Sequence, residues 1–168
     1  MTLEERVAAL EAVEAIRRLK ARYAWAADEK YTPDHERRPQ EELDRFARIQ
    51  AECFTHDAVW DGGAAAGPAV GREAIFQTLR SGPWKMSMHY FLMPHITVDG
   101  DRAEGRWYLW QTATMVEKDT PIFMSGITND DYIRLDGEWL IGRMRLTVKF
   151  ITPFHQPWTV NRNDPLVV

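Results

Sequence analysis

Residues 87–115 read Ser-Met-His-Tyr-Phe-Leu-Met-Pro-His-Ile-Thr-Val-Asp-Gly-Asp-Arg-Ala-Glu-Gly-Arg-Trp-Tyr-Leu-Trp-Gln-Thr-Ala-Thr-Met, and this stretch decides the fold. Two runs rich in β-branched and aromatic residues, 87–98 and 102–115, flank Asp99-Gly100-Asp101. An Asp-Gly pair between such runs is a strong hairpin signal, because the turn needs positive φ and Gly accepts it without steric cost. The pattern repeats downstream, where 124–135 and 138–151 flank Asp136-Gly137. Upstream the periodicity is helical. Thr2 and Glu5 form a capping box, and Leu3, Val7, Leu10, Val13, Ile16, Leu19 and Tyr23 recur at three and four residues as one apolar stripe. Segment 29–40 is polar and holds Pro33 and Pro39, so it reads as a loop or lid. Helical spacing returns from Glu41 to Phe54, a short strand follows at Ala58–Trp60, and Gly71–Leu79 is a short helix. Helices followed by long antiparallel hairpins predict an α+β fold, with the helices on one face of a curved sheet.

Composition narrows the functions. At 168 residues the chain is expected to be a single domain, 1–168, with a C-terminal tail at 153–168. The net charge is −4 and no basic stripe occurs, which argues against a nucleic-acid partner. One cysteine, Cys53, allows neither a disulfide framework nor a cysteine zinc site. No segment has the length and apolarity of a membrane span or a secretory leader, so the expected location is the cytoplasm. No His-x-x-x-His and no glycine-rich phosphate loop is present, so neither a metal nor a phosphate-bearing cofactor is expected. Seven tryptophans supply large rigid apolar surface, and a subset of them lining a cavity would suit a flat hydrophobic substrate.

His89 is an imidazole in an almost wholly apolar strand. Two readings fit it: a half-buried structural histidine, or a proton carrier working near neutral pH beside a carboxylate that orients it. The end of the first helix offers Tyr23 as a phenol and Asp28 as a carboxylate. At 100° per residue these two lie about 140° apart, so they share a pocket only if the helix ends nearby or the sheet wraps around it.

The succession Cys53-Phe54-Thr55-His56-Asp57-Ala58-Val59-Trp60-Asp61, Gly71-Arg72-Glu73-Ala74-Ile75, Met88-His89-Tyr90, Val98-Asp99-Gly100-Asp101-Arg102-Ala103 and Asp136-Gly137-Glu138-Trp139-Leu140-Ile141 resembles the SnoaL-like branch of the nuclear transport factor 2-like superfamily. Within it the chain is similar to small lyases such as bile acid 7α-dehydratase, scytalone dehydratase and hexachlorocyclohexane dehydrochlorinase. The resemblance implies a cone-shaped α+β barrel with a deep pocket, a histidine–aspartate pair as the proton-removing device, and no metal or organic cofactor. It assigns His89 as base, Asp28 as its partner, Tyr23 as proton donor and Arg145 as anion stabiliser, with Arg143 as the fallback. Trp25, Trp60, Trp107 and Trp110 are the candidate pocket walls; strand parity allows at most one of the last two. The implied reaction is loss of water or a small fragment such as formaldehyde from a hydrophobic aromatic, polyketide or steroid-like alcohol. A homodimer or homotrimer built through the open sheet face is expected by the same resemblance. The rival readings are an isomerase or epoxide hydrolase, for which Asp130 and Asp131 supply carboxylates, a non-catalytic small subunit of a ring-hydroxylating dioxygenase, and a ligand-binding module.

Overall fold

The computed structural model describes residues 2–63, 66–117 and 119–155. Helix α1 (Leu3–Asp28) starts on the full capping box, with Thr2 accepting from the Glu5 backbone N–H and Glu5 accepting from that of Thr2. Only its later turns are sequestered: Ala12, Ile16, Leu19 and Tyr23 are buried, whereas Leu3 and Leu10 are 68% and 70% exposed. The expected stripe therefore meets the sheet over its second half and overhangs it before that. Helix α2 (Gln40–Glu52) and helix α3 (Arg72–Arg80) pack on each other.

The six strands are β1 (Phe54–Asp61), β2 (Pro68–Val70), β3 (Trp84–Asp99), β4 (Arg102–Met115), β5 (Pro121–Leu135) and β6 (Glu138–Pro153). Their order in the sheet is β2-β1-β6-β5-β4-β3. All neighbours are antiparallel except β1 and β6, which run parallel, so the sheet is mixed. The two Asp-Gly turns sit where the sequence put them, with Gly100 at φ 56° and Gly137 at φ 85°. Together these elements make an α+β cone: among the described residues, three helices lie on a curved six-stranded sheet.

Strand parity divides the sheet into an inner face turned to the helices and an outer one. Along β4, Ala103, Gly105, Trp107, Leu109, Gln111 and Ala113 point inward and are buried. The inner face carries two apolar clusters. One joins Ile16, Leu19 and Tyr23 of α1 to Trp107, Tyr132, Trp139, Ile141 and Met144. The other comes from strands alone: Leu109, Ala113, Ile122, Met124 and Ile151, with Trp84, Phe91, Leu146 and Val148 against it. Phe91 touches both clusters.

Two of the sheet's register shifts bear on the expected site. In β6, Asp131 pairs with Arg143 and Tyr132 with Ile141, which leaves Gly142 as an extra residue. Such a bulge flips the parity beyond it. In β3, Met93 and Pro94 together oppose Trp107, with Met93 at φ 45°. Proline is tolerated here because β3 is an edge strand and the position is bulged.

Candidate active site

Helix α1 ends at Asp28 because Glu29 caps it through a backbone bond to Trp25, and the chain then turns into the 29–39 loop. That end lies against β3. His89 occupies an inward position on β3, between buried Ser87 and half-buried Phe91. The two elements meet through side chains: His89 Nδ1 lies 2.8 Å from Asp28 Oδ1. The same carboxylate accepts the His89 backbone N–H, at 3.1 Å to Oδ1 and 3.3 Å to Oδ2. Asp28 therefore fixes the strand and the ring together. With Nδ1–H donating to the carboxylate, the lone pair sits on Nε2, which makes Nε2 the basic atom. The ring lies parallel to Phe91, 9° between planes and 6.4 Å between centroids. The side chains of His89 and Asp28 keep 18% and 27% exposure, so the pair is neither sealed nor surface-bound.

Tyr23 does not touch Asp28. It is buried one side of α1 away, 6.2 Å from the Phe91 ring and edge-on to Phe54 at 5.8 Å. Phe91 therefore neighbours both Tyr23 and His89. The 140° angle is resolved because α1 lies along β3, so two faces of its last turns reach two successive inward residues of the strand. The Tyr23 hydroxyl accepts from Trp60 Nε1 at 3.2 Å and donates to no acceptor among the described residues. Burial pushes its phenol well above the usual range, so it stays protonated.

The other expected site residues divide. Trp60 and Trp107 face inward, with Trp107 donating to Tyr132 at 2.9 Å. Trp25 does not: it is 51% exposed and packs edge-on against Phe46. Trp110 lies on the outer face with Phe123 and Phe150, so of that pair Trp107 is the one on the inner face. Arg143 and Arg145 are also misplaced as pocket residues. The Gly142 bulge breaks the period, so Trp139, Ile141 and Met144 point inward and both arginines outward. Arg145 sits 3.7 Å from Asp61 at the surface.

Sequence reasoning missed Lys20. It is buried on α1 with Nζ 2.6 Å from Asp130 Oδ2 and 3.1 Å from Thr128 Oγ1, and 4.0 Å from the Phe91 ring centroid. Tyr132 donates to the same Asp130 oxygen at 2.8 Å, and Asp130 Oδ1 has no hydrogen-bond partner among the described residues. Gly105 makes room for this chain of bonds, since a Cβ there would come within 2.7 Å of the Tyr132 ring. Burial pushes the Lys20 ammonium down, against the pull of Asp130. Its signal was legible: Ile16, Leu19, Lys20 and Tyr23 form one helical face, and Asp130 shares the inward parity of Thr128 and Tyr132. Of the two carboxylates that left an isomerase open, Asp130 is tied up in this pair and Asp131 is exposed on the outer face.

The 29–39 loop is fastened rather than free. Lys30 Nζ donates to the Leu79 carbonyl at 2.9 Å, Arg38 Nε to Glu29 O at 2.7 Å, and Arg37 to Gly82 O at 3.3 Å. The tail beyond His155 lies outside the described residues. Among the described residues, no group of three His, Cys, Asp or Glu side chains is placed to hold a metal ion, and no helix is long and apolar enough to cross a membrane.

A model of the SnoaL-like domain matches residues 42–145, more than half of the chain. The chain belongs to the SnoaL-like domain family. Solved structures agree on the fold. This SnoaL-like chain is similar to a hexachlorocyclohexane dehydrochlorinase of type 2, with a TM-score of 0.72, 19% identity, and 88% of this chain and 92% of that one covered. It is similar to the type 3 enzyme from Novosphingobium barchaimii LL02, with a TM-score of 0.71, 20% identity, and coverage of 88% and 93%. A scytalone dehydratase-like protein from Novosphingobium aromaticivorans gives a TM-score of 0.70 at 19% identity, covering 93% and 94%. At such identities the likeness establishes the SnoaL-like fold and leaves the reaction to the chemistry of the site. No curated protein sequence matches the chain.

Proposed function

We propose that this protein is a lyase that works without a cofactor and eliminates water or a small fragment, such as formaldehyde, from a hydrophobic aromatic, polyketide or steroid-like alcohol. The observation that carries the reading is the 2.8 Å contact between His89 and Asp28 beside an apolar inner wall. A purely structural histidine needs one hydrogen bond. Here a carboxylate holds the ring nitrogen and the backbone N–H of the same residue, which limits both tautomer and plane, as a base must have. A binding module or a non-catalytic subunit has no use for that restraint.

In the proposed reaction His89 Nε2 takes a proton from carbon or oxygen of the bound substrate. Asp28 stabilises the imidazolium that forms. The Tyr23 hydroxyl, still protonated and with no acceptor for its hydrogen among the described residues, donates to the departing oxygen. Phe91, Leu109, Met124, Leu146 and Val148 provide an apolar wall for the substrate skeleton. Neighbours whose names carry dehydrochlorinase and dehydratase activities on this fold support the lyase class.

The test is turnover of steroid, polyketide and lignin-derived alcohols by the purified protein, with His89→Ala and Asp28→Asn alongside. Elimination product is expected from the wild type, with kcat/KM reduced about 10²- to 10⁴-fold in each variant. Product formation that persists undiminished in His89→Ala would refute the assignment of the base.

A further inference from the structure

The inner face beside His89 holds a polar pair that the proposed reaction leaves unused. Gln111 is the cross-strand partner of His89. The His89 N–H points away from β4 to Asp28, so His89 and Gln111 form a pair without hydrogen bonds between their backbones. In such pairs Cα atoms lie about 4.5 Å apart and the side chains approach most closely. Gln111 is buried among Leu109, Ala113 and Met124, the least favourable surroundings for a carboxamide. It makes one hydrogen bond among the described residues, from Nε2 to Ser87 Oγ at 2.7 Å. Ser87 is itself buried, two residues before His89 on the same face. The bond fixes the carboxamide plane and leaves its second N–H, its Oε1 and the Ser87 hydroxyl hydrogen without partners among the described residues. Whichever way the amide is turned, the pair keeps at least one donor and one acceptor.

We propose that Gln111, held by Ser87, is a specificity-determining residue that binds an oxygen substituent of the substrate, a carbonyl oxygen on the carbon next to the C–H bond that His89 attacks. The inference rests on the lyase reading and narrows its substrate class. As the C–H proton passes to His89 Nε2, the C–H electron pair moves onto this oxygen, where an N–H of Gln111 stabilises the developing charge. The pair then returns through carbon and breaks the C–O bond of the leaving hydroxyl. That hydroxyl takes the Tyr23 proton and departs as water, and the His89 proton later restores Tyr23, so atoms and charge balance. An apolar substrate lacking the oxygen would leave a buried carboxamide unpaired and be rejected.

The experiment reads binding without turnover, so it stands apart from the lyase test. Affinities of 1-indanone and of indane, the same skeleton without oxygen, are measured by tryptophan fluorescence for the wild type, Gln111→Leu, Ser87→Ala and His89→Ala. Leucine matches the size of glutamine and suits the apolar cluster, and a thermal melt checks that each variant is folded. The wild type is expected to prefer indanone by about tenfold, the worth of one buried hydrogen bond. Gln111→Leu is expected to abolish that preference, Ser87→Ala to weaken it, and His89→Ala to keep it. Equal wild-type affinities for the two ligands, or a preference that survives Gln111→Leu, would overturn the assignment. If the preference behaves as expected but no alcohol is turned over, the oxygen site stands and the lyase reading falls.

Discussion

Replacing Lys20 by methionine tests the energetics of the buried pair most directly. Lys20 is 1% exposed and Asp130 2%, and the ammonium supplies one of the two hydrogen bonds that the carboxylate receives among the described residues. Removing it leaves a buried carboxylate with, among the described residues, the Tyr132 hydroxyl on Oδ2 and no donor on Oδ1. Breaking a buried pair from one side costs about 3–5 kcal/mol, because the surviving charge is left uncompensated. Against a total stability of roughly 5–15 kcal/mol this is a large fraction. With a urea slope of roughly 2 kcal/mol per molar, the unfolding midpoint should fall by about 2 M. The double variant Lys20→Met/Asp130→Leu removes both charges and fills their space. Desolvation already outweighs the pull of Asp130 on the Lys20 ammonium, so the double variant should recover more than half of the loss. The residue of the cost, about 1–2 kcal/mol, comes from the Tyr132 hydroxyl and Thr128, which lose partners. Urea denaturation at pH 7 followed by circular dichroism reads both numbers. A single variant within 1 kcal/mol of wild type, or a double variant no better than the single, would refute this account.

Two further outcomes follow from charges elsewhere. Burial lowers the Lys30 ammonium to about 8 from 10.5, with Arg37 adding to the effect and Asp28 opposing it. Between those values the unfolded chain binds more protons than the folded one, so stability rises with pH across that window and the handicap is fully present below it. Relative to Lys30→Met, wild-type stability should therefore climb by up to about 3 kcal/mol from pH 8 to 10.5, measured by urea unfolding across a pH series; a flat difference would contradict the burial of this amine. Arg145→Ala should change kcat/KM by less than about threefold and stability by under about 0.5 kcal/mol, since its side chain is 55% exposed and only 3.7 Å from Asp61; a hundredfold loss in the turnover assay would return Arg145 to the site.

What could be read from the chain and what could not follows the range of each signal. The hairpins were legible because Asp99-Gly100 and Asp136-Gly137 act locally, on two or three residues of backbone. His89 stood out for a local reason as well, being polar in an apolar strand. Its bond to Asp28 spans 61 positions and depends on where α1 stops, which periodicity does not fix. Arg143 and Arg145 rest on resemblance alone, and the extra residue at Gly142 turns both outward, a bulge that a glycine inside a strand can signal. Lys20 was passed over because it stands beside Arg17 and Arg18, where a third cation reads as solvated face. Trp110 fell on the parity opposite to Trp107, as alternation required, while Trp25 turned outward because its helix buries only one side.

The edge position of β3 gives Asp28 a second consequence. An outermost strand presents unpaired N–H groups to any passing chain, a standing invitation to strand addition and fibre growth. At His89 that invitation is withdrawn by the side chain that also aims the imidazole. Chemical competence and colloidal behaviour thus meet in one carboxylate. A chain without it exposes an edge amide at the mouth of an apolar cluster, so concentration-dependent association should accompany loss of the base. Light scattering belongs beside kinetics whenever Asp28 is altered.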